Sequence, residues 1–470
     1  MNARTTPLHT PPRTLFAAQA LLPDGWHRDV LLHWDDAGTL TSVEAGCPDP
    51  GSHPRAHGPL LPGMPNLHSH AFQRAMAGRT EYVGRPDDSF WSWRTLMYQF
   101  AGRITPEGQE AIARHLYIEM LKAGYTSVCE FHYVHHAPDG KPYANPAELA
   151  ARIAAAGESA GIGVTLLPVL YQYSGFGEQP PLPGQARFLN TPEGLLDLVA
   201  RLRAQHPENG NRRYGVAPHS LRAVSHDSLT RLSEGLSVIS PDAPIHIHIA
   251  EQRREVDDCI AVHGTTPVAL LLDTQPVDAR WCLVHATHMT RAETEALAAS
   301  RAIAGICPST EGNLGDGIFD GTAYLRAGGR WGIGSDSHVT ISAAEELRWF
   351  EYTQRLHDQR RNVLTNPRTS AIADGLYLGA VDGGAAAAGR NIAGLAPGQR
   401  ADFVVLDAEH PDIGGRPDTQ TLAGYVFCQH GESPVRDVFV GGRQVVSERR
   451  HADEAAARAA YRDALAMLMA

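Results

Sequence analysis

Lysine is almost absent from this 470-residue sequence: only Lys122 and Lys141 occur, and arginine supplies the other basic residues. No run of 18 or more apolar residues is present, which excludes a transmembrane helix. The first residues, Met1–Arg4, lead into prolines and polar residues and not into an apolar signal segment. We therefore expect a cytoplasmic protein without a membrane partner.

Cysteine is also sparse, and its six residues are too scattered to predict a disulfide framework or a zinc knuckle. We expect free buried thiols in a reducing cytoplasm. A net charge of −11 disfavours nucleic acid and anionic membranes as partners, because both carry negative charge themselves. The cysteines are Cys47, Cys129, Cys259, Cys282, Cys307 and Cys428.

Both ends of the chain are β-rich. Short strand-like runs separated by turn residues occupy positions 14–43, and similar runs return after position 395. They predict one small discontinuous β-sandwich domain, built from residues 1–59 and 393–450. A C-terminal helix is expected over 451–470.

The middle of the chain, residues 60–392, contains eight apolar runs, each followed by a segment long enough for a helix. Near-continuous apolar strands that alternate with helices indicate a parallel sheet. Eight such units over roughly 300 residues favour a closed (β/α)₈ barrel over an open sheet. The predicted fold class is thus α/β: a TIM-type barrel with an appended β-sandwich domain.

His68 and His70 follow the first apolar run and stand two residues apart. Side chains alternate faces along a strand, so the two imidazoles would project together, close enough to hold one metal ion. Functional residues of such barrels gather where the strands end. The other predicted strand ends carry imidazoles and carboxylates, a combination that suits zinc or ferrous iron; they include Glu130, His132, His219, His246, His248, Glu251, His285, His288, Asp336 and His338.

The spacing of these groups resembles the amidohydrolase superfamily, in its branch of deaminases with a single metal ion. The shared motifs are His-x-His after strand 1, His-x-x-Glu after strand 5, His after strand 6 and Asp after strand 8. The resemblance covers essentially the whole chain, and the four spaced motifs together are more specific than any one of them. A closer resemblance is to the formiminoglutamate deiminase family, and it rests on the stretches 68–74 (HSHAFQR), 246–252 (HIHIAEQ), 307–317 (CPSTEGNLGDG) and 334–338 (GSDSH).

The resemblance implies roles for these residues, and it implies a homodimer. Glu251 would shuttle protons, His285 would orient a metal-bound hydroxide, and Asp336 would also accept a proton. One divalent metal ion, zinc or else ferrous iron, would be bound by His68, His70, His248 and Asp336. The family places around the substrate Gln73, Arg94, Tyr133, His219 and Arg222.

The scarcity of lysine bears on the number of metal ions. Superfamily members with two metals bridge them through a carboxylated lysine at the end of strand 4. Lys122 precedes predicted strand 2 and Lys141 follows it, so neither has that position. One metal ion is therefore expected.

Arginines near strand ends favour a carboxylate substrate, because guanidinium presents a planar fork that matches carboxylate. Arg94 and Arg222 are the candidates, although either could instead pair with a surface carboxylate. With the resemblance, they predict a small dicarboxylate substrate and the hydrolysis of N-formimino-L-glutamate to N-formyl-L-glutamate and ammonia, a step of histidine degradation. Two alternatives stay open: another deaminase of the branch, acting on guanine, cytosine or an adenosine-type substrate, and a non-catalytic scaffold. The long segment 72–105, rich in Trp and Arg, is the candidate lid.

Overall fold

The computed structural model describes residues 13–81, 89–365 and 369–469. The first twelve residues of the predicted β-domain and residues 82–88 of the candidate lid lie outside the described residues. The strands are β1 (Thr14–Leu22), β2 (Gly25–Trp34), β3 (Leu40–Glu44), β4 (Leu60–Pro62), β5 (Met64–Ser69), β6 (Tyr125–His132), β7 (Gly163–Leu170), β8 (Arg212–Tyr214), β9 (Ala217–Pro218), β10 (Ile245–Ile249), β11 (Trp281–His285), β12 (Ile303–Ile306), β13 (Arg330–Ile333), β14 (Phe403–Leu406), β15 (Val435–Val440), β16 (Arg443–Ser447) and β17 (Arg450–His451).

Helices follow most of the central strands. Among the described residues, no helix is both long enough and apolar enough to cross a membrane. The α-helices are α1 (Phe90–Arg103), α2 (Pro106–Lys122), α3 (Glu148–Ala160), α4 (Pro192–Gln205), α5 (His226–Ile239), α6 (Arg253–His263), α7 (Pro267–Thr274), α8 (Arg291–Ser300), α9 (Pro308–Leu314), α10 (Gly321–Arg326), α11 (Ala343–Asp358), α12 (Ile372–Ala388), α13 (Thr421–Ala423) and α14 (Glu454–Met469).

The central strands form a closed parallel barrel. One set of parallel pairs runs β5-β6-β7, with β7 paired to both β8 and β9, and a second set runs β10-β11-β12-β13. Isolated parallel bridges join the two sets, Ser69 with Asp336 on one side and Val216 with Ile245 on the other. The fourth strand position is thus divided between β8 and β9, and the circle contains eight positions, as the alternation of runs predicts.

Buried strand faces explain why the central runs lack alternation. Every residue of β6 and of β7 is buried, because one face lines the barrel interior and the other packs against helices. Helix α12 lies unusually close to the barrel, and its glycines allow this approach. A β-carbon at Gly383 would overlap the carbonyl oxygen of Trp331 in β13, and one at Gly384 would lie 2.8 Å from Pro65.

The two chain ends build one mostly antiparallel sheet in the order β17-β16-β15-β14-β4-β1-β2-β3. A bridge between Thr39 and Arg400 joins the edge of β3 to the segment before β14, so the sheet curls around its own apolar core. Leu60–Pro62 belongs to this sheet, since β4 pairs with β1 and β14. The first predicted barrel run is therefore two strands, which meet at Gly63.

Domain limits remain a proposal, and the pairing of β4 changes one of them. We propose Gly63, and not position 60, as the point where the chain passes from the end sheet into the barrel. A side chain at Gly63 would overlap that of Thr126, so the crossing requires glycine there. The strand β17 extends to His451, one residue past the predicted limit of 450, and α14 then packs against α2.

Candidate metal centre and substrate cavity

The four predicted ligands converge at the carboxyl ends of three strand positions. The Nε2 atoms of His68 and His70 are 3.1 Å apart, and that of His248 lies 3.0 and 3.3 Å from them. Asp336 Oδ1 is 3.4 Å from both His68 Nε2 and His70 Nε2. All four side chains are buried. Barrel closure aligns them, because Asp336 N donates to the His68 carbonyl at 3.0 Å and His70 N donates to the Asp336 carbonyl at 3.1 Å.

The orientation of the imidazoles fits a bound cation. His70 Nδ1 lies 2.9 Å from the Phe131 carbonyl and His248 Nδ1 lies 3.2 Å from the His219 carbonyl. A carbonyl only accepts, so each Nδ1 carries the hydrogen and each Nε2 presents a lone pair to the centre. Tetrahedral zinc with bonds of about 2.0–2.1 Å separates its nitrogen donors by roughly 3.3 Å. The observed spacing matches one shared ion.

The protonation states also suit metal ligands, which must be deprotonated. Burial lowers the pKa of His68 to about 3, and the neighbouring His70 acts in the same direction. Burial alone would raise the pKa of Asp336, but the hydrogen bond from His68 and the nearby histidines hold it below its ordinary value. Three neutral imidazoles and one carboxylate result.

Neither lysine lies at this centre. Lys122 ends helix α2 and its Nζ lies 2.7 Å from Glu454 Oε1, while Lys141 is exposed and pairs with Asp139 at 3.3 Å. The fourth strand position ends in Pro218 and His219. A bridging lysine is thus absent from the described strand ends, which supports a single ion.

Glu251 follows β10, the strand that carries His248, and His285 ends the next strand, β11; both face the ligands. His285 Nε2 lies 3.8 Å from Glu251 Oε1 and 3.8 Å from Asp336 Oδ2. Burial raises the pKa of Glu251 to about 7, against the opposing effect of His285 and Arg222. Burial lowers the pKa of His285, but Glu251, Glu311 and Asp336 outweigh it and raise the value to about 10. A carboxyl that titrates near neutrality and an imidazolium thus lie side by side.

Left-handed backbone is concentrated at these strand ends. Ala250, His285, Ala286 and Asp336 have φ between 44° and 68°, although none is glycine. This conformation costs about 1–2 kcal/mol per L-residue and is maintained only where surrounding structure imposes it. The positive-φ residues lie where β10, β11 and β13 end, and Glu251, His285 and Asp336 line the cavity at these three ends.

Glu311 is a site residue that the sequence reasoning did not single out. Its Oε1 accepts from His285 Nδ1 at 3.2 Å and from the Cys307 backbone N–H at 2.8 Å. It is buried at the start of α9, directly after strand β12. The signal was present, since Glu311 lies within the 307–317 motif. We propose that Glu311 fixes the ring plane and the tautomer of His285.

Replacing Glu311 should impair the orientation of His285 without affecting metal binding. We expect Glu311→Gln to lower kcat by about ten- to a hundredfold, because an outer partner of an active-site imidazole typically contributes that much. Glu311→Asp should recover part of the loss, and bound metal should stay at the wild-type level. Steady-state kinetics with metal analysis tests this expectation, and a wild-type kcat in Glu311→Gln would rule the role out.

All five predicted substrate residues line one cavity above the four ligands. Gln73 Nε2 donates to the Tyr133 hydroxyl at 2.9 Å, whereas Gln73 Oε1 has no hydrogen-bond partner among the described residues. The Tyr133 ring packs against that of His70, with centroids 5.1 Å apart. His219 lies against Tyr171, with ring centroids 4.6 Å apart. The cavity wall therefore combines aromatic rings with unsatisfied polar atoms.

Arg94 and Arg222 supply positive charge to the cavity. Arg94 has no ion-pair partner among the residues that the structure describes, and its Nη1 is buried without a hydrogen bond. Arg222 is only 5% exposed, and its Nε lies 3.8 Å from Oε1 of the buried Glu255, too far for a hydrogen bond. The alternative of a surface salt bridge therefore does not describe Arg222. Incompletely paired buried cations favour an anionic ligand.

Two more cavity residues, Tyr98 and Tyr171, escaped the sequence reasoning, and the fully buried Gln185 binds both of them. Gln185 Nε2 donates to the hydroxyls of Tyr98 at 3.0 Å and Tyr171 at 2.7 Å. Tyr171 directly follows β7, so inspection of the third strand end would have found it. Tyr98 and Gln185 are far apart in sequence and meet only through the fold.

Other histidines near the centre have structural partners. His246 Nε2 lies 2.8 Å from the Ala387 carbonyl on α12, and His288 Nε2 lies 2.8 Å from the Asp316 carbonyl. His338 lies 3.0 Å from the hydroxyls of both Ser69 and Ser335. These hydrogen bonds give each of the three histidines a structural partner outside the four converging ligands.

Comparison with known proteins places the chain among characterised relatives. The model of the amidohydrolase family matches residues 60–445. The chain is 51% identical over 455 residues to a formimidoylglutamate deiminase of Pseudomonas aeruginosa, covering 97% of this chain and 99% of that protein. Its structure resembles an amidohydrolase from Brucella melitensis, with 48% identity, a TM-score of 0.90 and coverage of 97% and 100%. A zinc-bound adenosine deaminase from Xanthomonas campestris shares the fold at 21% identity, with a TM-score of 0.78 and coverage of 98% and 100%.

Proposed function

The chain belongs to the amidohydrolase family, and we propose on that premise that it hydrolyses N-formimino-L-glutamate to N-formyl-L-glutamate and ammonia. The observation that carries the proposal is the pair Arg94 and Arg222, two incompletely paired guanidinium groups in the cavity that contains the predicted ligands. In a small dicarboxylate with a formimino group, the carboxylates would pair with the two arginines and the formimino group would face the predicted ligands. The reaction cleaves a C–N bond of a linear amidine.

The converging donors fit one divalent ion, and we propose zinc, with ferrous iron as the other candidate. Three imidazole nitrogens and one carboxylate oxygen are donors that both metals accept. When bound, such an ion supplies Lewis acidity, which lowers the pKa of a coordinated water toward 7. The proposed ligands are His68, His70, His248 and Asp336.

The chain's own groups account for the proton transfers. Water adds its oxygen to the formimino carbon, the bond from that carbon to the terminal nitrogen breaks, and the nitrogen leaves as ammonia. We propose that Glu251 takes each of the two protons that water loses in turn and delivers it to the terminal nitrogen, which then leaves as ammonia; a pKa of about 7 suits both transfers. Asp336 shares proton acceptance. The His285 imidazolium donates a hydrogen bond to the oxygen as negative charge develops there.

Substrate orientation follows from the cavity wall. Arg94 and Arg222 each present a planar fork to a carboxylate of the glutamate part. The free Gln73 Oε1 accepts from a substrate N–H, and Tyr133 and His219 border the same space. A neutral nucleobase would leave the two guanidinium groups without counter-charge, at a cost that disfavours guanine, cytosine and adenosine-type substrates.

Ammonia release distinguishes the candidate functions. We expect the metal-loaded enzyme to act on N-formimino-L-glutamate with kcat/KM at least about a hundredfold above formiminoaspartate, guanine or cytosine, because buried polar groups reject ligands that leave them unpaired. Coupled measurement of ammonia across these compounds is the test. Faster turnover of a nucleobase would replace the proposal by its deaminase alternative, and no ammonia from any compound would favour the scaffold.

We also propose that the enzyme works in the cytoplasm as a homodimer, without nucleic acid or membrane partners. Six free cysteines and the absence of disulfides among the described residues suit a reducing compartment. The charge of −11 opposes binding to polyanions. Family membership is the support for the dimer.

A further inference from the structure

A second cavity lies directly outside the substrate cavity, and the two share Arg94 and Arg222. The outer cavity is further lined by Trp91 of α1, the Ser174–Phe176 turn, and Arg254 and Asp258 of α6. We call it the outer vestibule. No role in the proposed reaction has been given to Trp91 or Arg254.

Three guanidinium groups surround one indole at the boundary of the two cavities. The Cζ atoms of Arg94 and Arg254 each lie 4.6 Å from the Trp91 ring centroid, and that of Arg222 lies 5.9 Å away. Such stacking holds guanidinium planes in place while leaving their N–H edges free to donate. Trp91 thus connects an outer cation, Arg254, with two inner ones.

The local charge of the vestibule is opposite to that of the protein. Among the described residues, three arginines and one carboxylate, Asp258, line the vestibule, whereas the chain as a whole carries −11. Arg254 Nε lies 3.6 Å from Asp258 Oδ2, and both side chains are more than half exposed, so this pair neutralises little. Glu255 lies behind Arg222 and is buried. A concave cationic surface focuses the electrostatic field toward its opening.

We propose that the outer vestibule is an anion-capture site, at which Arg254 binds a carboxylate of an incoming small dicarboxylate before Arg94 and Arg222 receive it. This inference rests on the proposed function only for the identity of the natural ligand. The acidic surface repels a dianion at long range, and Arg254 supplies an attractive contact outside the inner cavity. Its effect belongs to association, since Arg254 lines the vestibule and not the inner cavity that contains the predicted ligands.

Arg253 provides a matched control for Arg254. The two residues are adjacent in α6, carry the same charge and are both exposed, but only Arg254 lies on Trp91 and lines the vestibule. Arg254→Gln and Arg253→Gln therefore change net charge equally. Any difference in ligand association between the two variants is therefore due to the position of the lost charge.

Stopped-flow tryptophan fluorescence with glutarate as the probe measures capture on the metal-loaded enzyme. At low ionic strength we expect Arg254→Gln to lower the association rate constant about three- to tenfold and to weaken its dependence on added salt. The dissociation constant should rise by a smaller factor. Arg253→Gln should retain the wild-type association rate within about twofold.

Three results would overturn the capture site. An equal decrease of the association rate in both variants would assign the effect to net charge. An unchanged association rate in Arg254→Gln would show that Arg254 does not capture the ligand. If Arg254→Gln raised the dissociation constant without changing the association rate, Arg254 would instead contact the ligand in the bound complex. Because glutarate binding requires no turnover, these outcomes are independent of failure of the proposed reaction, which would appear as absent ammonia release by the wild-type enzyme.

Discussion

Replacement of Glu251 by glutamine should lower kcat by about a hundred- to ten-thousandfold, the range expected when a positioned acid–base group is removed. Glu251 is buried beside His285, and burial raises its pKa to about 7. Glutamine keeps the size of the side chain but can neither take nor give up a proton at neutral pH. Measurement of kcat with N-formimino-L-glutamate at saturating substrate tests the expectation.

Metal content separates this role from ligation. Glu251 is not among the converging donors, so Glu251→Gln should retain one equivalent of metal. His248→Gln, in contrast, should lose most of the bound metal, because its Nε2 lies 3.0 Å from that of His68 in the donor cluster. Loss of metal from Glu251→Gln, or activity within tenfold of wild type, would refute the proposed proton transfer.

Arg222→Met should lower kcat/KM for N-formimino-L-glutamate by about a hundred- to a thousandfold, mainly through KM. A carboxylate that loses a buried cationic partner loses roughly 2–5 kcal/mol of interaction. Arg222 can be such a partner, because it is buried in the cavity wall and no carboxylate of the described residues is hydrogen-bonded to its Nε. Initial-rate kinetics over a wide substrate range provides the measurement.

Arg212 offers a matched control for Arg222. It belongs to the same strand position at the opposite end of the barrel, and its side chain is largely buried and pairs with Glu158 at 2.7 Å. Arg212→Met should leave KM near the wild-type value. N-butylformamidine has no carboxylate. The ratio of kcat/KM for N-formimino-L-glutamate to kcat/KM for this compound should therefore fall in Arg222→Met but not in Arg212→Met. An Arg222→Met variant as active as wild type would contradict the proposed orientation of the substrate.

The candidate centre was largely predictable because the residues that form it occur in short local patterns. His68 and His70 share a face through the period of two in a strand, and His248 with Glu251 forms a spaced motif within one strand end. The predicted catalytic and substrate residues line one cavity together with three of the predicted ligands, and the fourth, His68, lies within 3.4 Å of those three.

Glu311 and Gln185 show what local patterns omit. Glu311 contacts His285 across 26 positions of sequence, and Gln185 contacts Tyr98 across 87. Glu311 lies within the 307–317 motif, but nothing in that motif shows which histidine it contacts, and Gln185 lies in no motif at all. The split of the first run at Gly63 was missed for a related reason, because an apolar run does not reveal which of two sheets each half joins.

The sequence by itself predicted the parallel barrel, the strand ends at which the candidate site lies and a donor set that we propose binds one metal ion, because apolar periodicity and ligand spacing are local properties of the chain. Tertiary structure alone decided which groups meet: barrel closure aligns His68 with Asp336, strained turns direct His285 inward, and Trp91 brings Arg254 beside the inner arginines. Such contacts join distant segments, and their distances depend on the packing of the whole barrel.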